Sequence, residues 1–244
     1  MSVSVSMASP AARPAVAQNP SADEVIQKYI VATGGKEALE KVKTLQMRGT
    51  MQGNTQIGPV TADLTIYQRG DAFLLTVAMP GFGDIVKGRN GDLAWGPRKD
   101  GSFGKLEGKE KEQFLRDSQL HEQLSWIGYD GQVSTKGHVV INGKPCWHLL
   151  FEPSSGNAVD RYFEKDSGLL TKISMVSATE TGEVSVETYL SDYRETSGIK
   201  TACEIKQVQD AGEQKVETVY RFTEVKANES IPDSCFEPPP GIDG

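Results

Sequence analysis

From Thr44 onward the chain alternates polar and apolar positions with a period of two. "LQMRGTMQGN", "PVTADLTIYQRGD", "AFLLTVAMPG" and "DIVKGRNGDLAWG" come first. "QVSTKGHVVING", "KPCWHLLFE", "AVDRYFEK", "LLTKISMVSA", "EVSVETYLSDYRE", "IKTACEIKQVQ" and "KVETVYRFTEVK" follow after an interruption. Period-two runs between Gly, Asn, Asp and Pro clusters are the signature of strands. The connections "NG", "PSSGN", "KDSG", "ETG", "TSG" and "DAGE" are short. Parallel neighbours need a crossover of a dozen or more residues, so these strands pair antiparallel. The pattern predicts about ten strands, and a sheet of that size curls or splits.

Helical spacing occurs in three places. "SADEVIQKYIVATGG" has Ser21 as an N-cap, acids Asp23 and Glu24 in the first turn, and Val25, Ile26, Tyr29 and Ile30 on one side. Gly34 and Gly35 stop it. "KEALEKVK" puts Ala38, Leu39 and Val42 on one face. A third helical stretch covers roughly 108–127, with Phe114, Leu115, Leu120, Leu124, Trp126 and Ile127 as its apolar positions. Mainly β (α+β) in class, the chain is expected to fold over 21–240 as one domain: an incomplete, strongly curved antiparallel β-barrel with this helix as a lid.

Composition narrows the function classes. The hydrophobic share of 37% suits an antiparallel sheet wetted on one face. A net charge of −7 without a basic cluster argues against nucleic acid as partner. No apolar run approaches the ~20 residues a transmembrane helix needs. "KLEGKEKEQFLRD" alternates charge sign and reads as a solvated helix face. Cys146, Cys203 and Cys235 are widely spaced and lack a C-x-x-C pair; a Cys146–Cys203 bridge and buried free thiols both stay open. The first 20 residues, rich in Ser, Ala and Pro, read as a disordered leader or a signal remnant. "AVAQ" at Ala15–Gln18 has the small-x-small form of a cleavage site, but no continuous apolar segment precedes it.

Catalytic and metal motifs are missing. His121, His138 and His148 fall on separate elements without ligand spacing. No G-x-S-x-G, H-E-x-x-H or S-x-x-K occurs. "ATGGKEAL" has Glu37 where a phosphate loop needs Ser or Thr, and follows a helix, so it reads as a helix stop. Asp160, Glu164 and Asp166 near Arg161 read as solvated strand-edge charges. No catalytic residue, metal ligand or cofactor site is predicted.

The apolar positions carry more. Phe73, Leu75, Val77 and Met79 share one face of a strand and Leu74 the other. Trp95, Phe114 and Trp126 lie beside or within the expected lid. A curved sheet under a helical lid is a shape that can open on a ligand cavity. Its expected lining is Leu64, Ile66, Phe73, Leu75, Val77, Trp95, Phe114, Leu115, Leu120 and Trp126.

Three stretches carry a resemblance: "YFEKDSGLLTKI", "ETYLSDYRETSGIKTACEI" and "YRFTEVKANESIPDSCFEPP". Together with the opening "ADEVIQKYIVATGGKEALEKVKTLQMRGTM", the chain resembles the bacterial outer-membrane lipoprotein-sorting proteins (LolA/LolB-like). Asp166, Gly168 and Leu169 fill the acidic turn of that pattern. Asp192, Tyr193, Arg194, Gly198, Ile199 and Lys200 fill its "DYR-x-x-x-G-I-K" hairpin. Asn228, Ile231, Asp233, Phe236 and Pro238 fill its ending. Ala202 departs from it, standing where relatives usually have Pro. The resemblance implies a half-barrel with a lid, a periplasmic location and an apolar cavity suited to a lipid or lipoprotein acyl chain, without enzymatic activity. An envelope sensor or interaction domain with a protein partner and no bound lipid is the alternative; an enzyme of unknown type ranks third.

Overall fold

The computed structural model describes residues 19–55, 58–79, 81, 83–98, 102–179, 182–212 and 215–242. Most of the expected leader, including Ala15–Gln18, lies outside them. Two helices come first, α1 (Ala22–Ala32) and α2 (Lys36–Lys41). Ser21 caps α1 as read: its Oγ accepts from the Glu24 N–H at 3.2 Å, and the Glu24 carboxylate accepts from the Ser21 N–H at 2.7 Å. Val25, Ile26, Tyr29 and Ile30 are all buried. The helix stops where the Gly34 backbone takes φ +125° and Gly35 φ +82°. A Cβ on Gly34 would sit 2.3 Å from the Gly198 carbonyl oxygen, so the helix stop is also a close backbone contact with the far half of the sheet.

The strands are β1 (Thr44–Thr55), β2 (Gly58–Arg69), β3 (Ala72–Met79), β4 (Gly83–Asn90), β5 (Leu93–Pro97), β6 (Phe103–Lys105), β7 (Gly131–Ile141), β8 (Lys144–Pro153), β9 (Val159–Glu164), β10 (Leu170–Thr179), β11 (Gly182–Thr196), β12 (Ile199–Asp210) and β13 (Lys215–Ala227). All thirteen form one open antiparallel sheet, ordered β6-β5-β4-β3-β2-β1-β13-β12-β11-β10-β9-β8-β7. The count exceeds the expected ten or so. "DIVKGRNGDLAWG" is two strands joined at Gly91–Asp92, and the three residues of β6 are too few to show alternation.

The sheet is strongly curled. Tyr29 of α1 packs on Phe163 of β9 and faces the same cavity as Met47 of β1. Those strands are five spacings apart, about 24 Å if the sheet were flat, whereas a helix is only about 10–12 Å across. The concave face carries Leu45, Met47, Leu64, Val77, Leu149, Phe151, Phe163 and Phe222 in one buried cluster with α1, α2 and Trp126.

The expected lid helix is not one helix. It divides into α3 (Gly108–Asp117), a bend at Ser118–His121 and a 3-10 turn at Glu122–Ser125. Ser118 Oγ donates to the Phe114 carbonyl, and His121 takes φ +60°, which an α-helix does not accommodate. No residue of α3 is fully buried, whereas Trp126 beyond the turn is 3% exposed.

The chain end covers the opposite face. Asn228 turns out of β13 at φ +62°, its N–H donating to Thr44 O and its Oδ1 accepting from the Lys43 N–H. Ile231 and the fully buried Phe236 then pack with Ala72, Tyr67 and Leu74. The three cysteines are free; Cys146 on β8 and Cys203 on β12 stand four strand spacings apart, so the considered bridge does not form.

Candidate functional site

Alternation decides which side chains reach the concave face. In β9 the burial pattern makes Val159, Arg161 and Phe163 the inward set. Arg161 is thereby carried into the interior and is only 5% exposed, not solvated at a strand edge as its acidic neighbours suggest. Its guanidinium lies 4.6 Å from the Trp126 ring centroid and 4.3 Å from that of Phe151. Neither Nε nor Nη1 has a hydrogen-bond partner. Asp160, on the opposite parity, meets His148 Nε2 at 2.5 Å.

Two cavities flank the segment from Asp117 to Gln123. One, of about 260 Å³, has an apolar side that includes Leu45, Met47, Ile66, Leu120, Leu190, Ile205 and Phe222, and a polar side that includes Gln68, His121, Gln123, Lys200 and Thr201. The second, of about 250 Å³, lies beneath the 3-10 turn and is lined by Arg161, Trp126, Tyr129, Arg116 and Asp130 among others. Asp117, Gln119 and Glu122 line both, so they form the wall between the chamber with the apolar side and one built around an arginine.

The electrostatics of that wall follow from desolvation. Burial pushes the Glu122 carboxyl up to about 7; Arg161 opposes the shift and Asp117 adds to it. Asp117 is raised as well, again by burial first, although its side chain keeps an exposed edge that limits the effect. Burial pushes Tyr29 upward too. His121 is lowered by burial; its Nε2 lies 3.0 Å from the Val42 carbonyl. Ser125 Oγ donates to the Glu122 backbone carbonyl at 2.7 Å, so that hydroxyl is turned to the main chain. Among the described residues no group of His, Cys, Asp and Glu is arranged to hold a metal ion.

Of the residues expected to line a ligand cavity, Ile66 and Leu120 lie on the apolar side of the first chamber and Trp126 lines the arginine chamber. Leu64 and Val77 are buried in the core, with Leu75 packed against it. Phe73 and Phe114 pack edge-on to one another at 5.7 Å under the start of the sheet. The Leu115 carbonyl accepts from Arg89 Nη1 at 2.6 Å. Trp95 is on the other face: it pairs with Gly88, which pairs with Leu74, and its ring lies over Gly88 where a Cβ would clash. Parity explains the difference, because Ala94 and not Trp95 is in register with Arg89 and Phe73.

Arg161, Glu122 and Asp117 were missed from sequence. The signal was there for Arg161, whose parity matches Val159 and Phe163. None existed for Glu122, which the 3-10 turn brings inward.

The sheet order and the helical segments on its concave face can be set against solved structures. A LolA superfamily protein from Nitrosomonas europaea superposes with a TM-score of 0.60 at 11% identity, covering 90% of this chain and 99% of that one. The two chains share a LolA-like fold. A DUF1329 family protein from Desulfovibrio piger gives 0.60 at 12% identity over 88% of this chain and 96% of its own. A Vibrio parahaemolyticus domain named for outer-membrane lipoprotein sorting gives 0.60 at 10%, over 87% and 94%. No family model matches the sequence, and neither does any curated protein. Identities this low speak to the LolA-type fold alone. No helix among the described residues is long and apolar enough to cross a membrane.

Proposed function

We propose that this protein is a non-enzymatic periplasmic carrier that holds the acyl chain of a lipid or lipoprotein on the concave face of its sheet. The observation that carries the reading is the chamber between that face and the segment Leu120–Gln123, whose apolar side includes Leu45, Met47, Ile66, Leu120 and Phe222. A LolA-type fold supports it by likeness to a domain named for outer-membrane lipoprotein sorting. Burial of a chain contributes about 0.8 kcal/mol per methylene, enough for reversible retention.

At about 260 Å³ the chamber is below the roughly 300–1,000 Å³ usual for ligand sites, so a full chain requires opening. The segment from Ser118 to Trp126 is the part that moves: it is a bend and a single 3-10 turn, not a continuous helix. Phe73, Leu75, Val77, Leu64, Phe114 and Leu115 join the lining only as that segment lifts.

Asp117, Glu122 and Arg161 converge, which is the feature an enzyme reading draws on. We assign them to binding, since the hydroxyl closest to Glu122 in sequence, Ser125, bonds its backbone and not its carboxyl. Native mass spectrometry on gently purified protein is the test. Co-purified lipid is expected; a lipid-free protein captured with one stoichiometric envelope partner would replace the carrier reading with that of a sensor domain.

A further inference from the structure

The geometry points to the chamber beneath the 3-10 turn as a binding site for an anionic group, a carboxylate or phosphate, held by the guanidinium of Arg161. This deepens the carrier reading and rests on it for the source of the anion: an amphiphile whose head lies at Arg161 and whose tail runs past Glu122 to the apolar side of the other chamber.

Three observations carry the inference. First, Arg161 is a buried cation with donors to spare. It is 5% exposed, and its Nε and Nη1 are without partners. A buried arginine left so is costly, and a planar anion satisfies two of its donors at once. Second, the guanidinium carbon lies over two aromatic rings, 4.6 Å from the Trp126 centroid and 4.3 Å from that of Phe151, and those rings stand edge-on to each other at 5.5 Å. Both rings sit toward one side of the guanidinium and pin it there, while Arg161 still lines the chamber. Third, the two chambers meet at Asp117, Gln119 and Glu122, so a head bound at Arg161 has next door the apolar side of the other chamber, with Leu45, Met47, Ile66 and Phe222.

The acids alongside do not cancel this. Burial raises both Glu122 and Asp117 against the pull of Arg161, which weakens their hold on its charge. A protonated Glu122 also supplies an O–H that a carboxylate ligand accepts. Arg116 on the same wall adds a second positive charge; Asp130, at the exposed rim, is engaged by Ser154 Oγ at 2.7 Å.

The test compares three probes on the folded, isotope-labelled full chain: decanoate, decanol and inorganic phosphate. Affinity is read by calorimetry, and the anion contact by the Arg161 Nε–H resonance. Decanoate is expected to bind about tenfold or more tighter than decanol, the difference a charge-assisted hydrogen bond makes, and to shift that resonance. R161M should keep decanol binding and lose the preference. Should that variant fail to fold, the wild-type resonance still decides. Equal affinities with an unmoved resonance, or a preference that survives in R161M, overturn the anion site and leave the carrier reading intact. Phosphate shifting the resonance while neither ten-carbon probe binds supports the anion site, makes a free anion its ligand and overturns the carrier reading.

Discussion

Tyr29 of α1 stacks on Trp126, ring centroids 5.6 Å apart and planes 14° from parallel. That stack joins the first helix of the chain to the segment dividing the two chambers. Trp126 continues edge-on into Phe151 and Phe163, at 5.5 and 6.2 Å. The interior of the half-barrel is therefore organised around one indole, which also covers the Arg161 guanidinium.

Replacing Trp126 with Ala removes the indole from four partners and merges empty space with both chambers. A loss of about 3–5 kcal/mol is expected in urea unfolding, the range for deleting a buried aromatic. A change under about 1 kcal/mol would mean that the neighbouring segment collapses into the gap and that Trp126 does not organise the interior.

Two adjacent glycines separate strain from crowding. Both have positive φ, but Gly34 faces the Gly198 carbonyl oxygen at 2.3 Å while Gly35 has open space around it. Gly35→Ala should cost about 1–2 kcal/mol from backbone conformation alone. Gly34→Ala must also push the β11–β12 turn away, so it should cost clearly more in the same melt. Equal losses would show that the two backbones yield freely.

Stability should respond to pH through two opposed groups. Glu122 titrates near 7 when folded and near 4.5 when unfolded, so the folded state holds the extra proton between those values. Stability from this group falls as pH rises across that window, by at most about 3 kcal/mol. His121 is depressed in the folded state, so it lowers stability as pH falls below 6.5, its ordinary value. Thermal melts from pH 4.5 to 8 should show E122Q flattening the decline toward pH 7, and H121Q flattening the loss on the acid side. An E122Q profile parallel to wild type would rule out a protonated buried Glu122.

The C-terminal segment should contribute through Phe236 and not through its ion pair. Phe236 is fully buried against β2 and β3, with the Arg69 guanidinium 5.1 Å from its centroid. Phe236→Ala should cost about 3–5 kcal/mol. Asp233 reaches Arg69 at 2.7 Å but its side chain is 89% exposed, so Asp233→Asn should change stability by about 1 kcal/mol or less. Comparable losses in the two variants would reverse that ranking.

Local chemistry was legible wherever one residue's conformational preference settles a structure. Ser21 and Glu24 close the start of α1, Gly34 and Gly35 end it, and short turns make the strand pairs they join antiparallel. Ile231 and Phe236 were marked in the sequence as positions of the family-like ending; their packing on Ala72, Tyr67 and Leu74 came with the fold. Segment 108–127 misled because its apolar residues permit a helix, whereas His121 at φ +60° and its ring nitrogen 3.0 Å from Val42 O come from packing against α2.

Alternation along a strand determines which residues share a face, and residue order alone was sufficient for that. It cannot say which of two faces becomes concave when both carry large side chains. Trp95 and Phe73 belong to opposite faces because β3, β4 and β5 are aligned by backbone hydrogen bonds, whose register depends on the neighbouring strand. Arg161 obeyed the same parity rule, yet its meaning depended on Trp126 and Phe151, 35 positions earlier and 10 earlier in the chain, closing over it. Burial of a charge is a property of everything packed around it, so only the folded sheet could turn that strand residue into a candidate binding group.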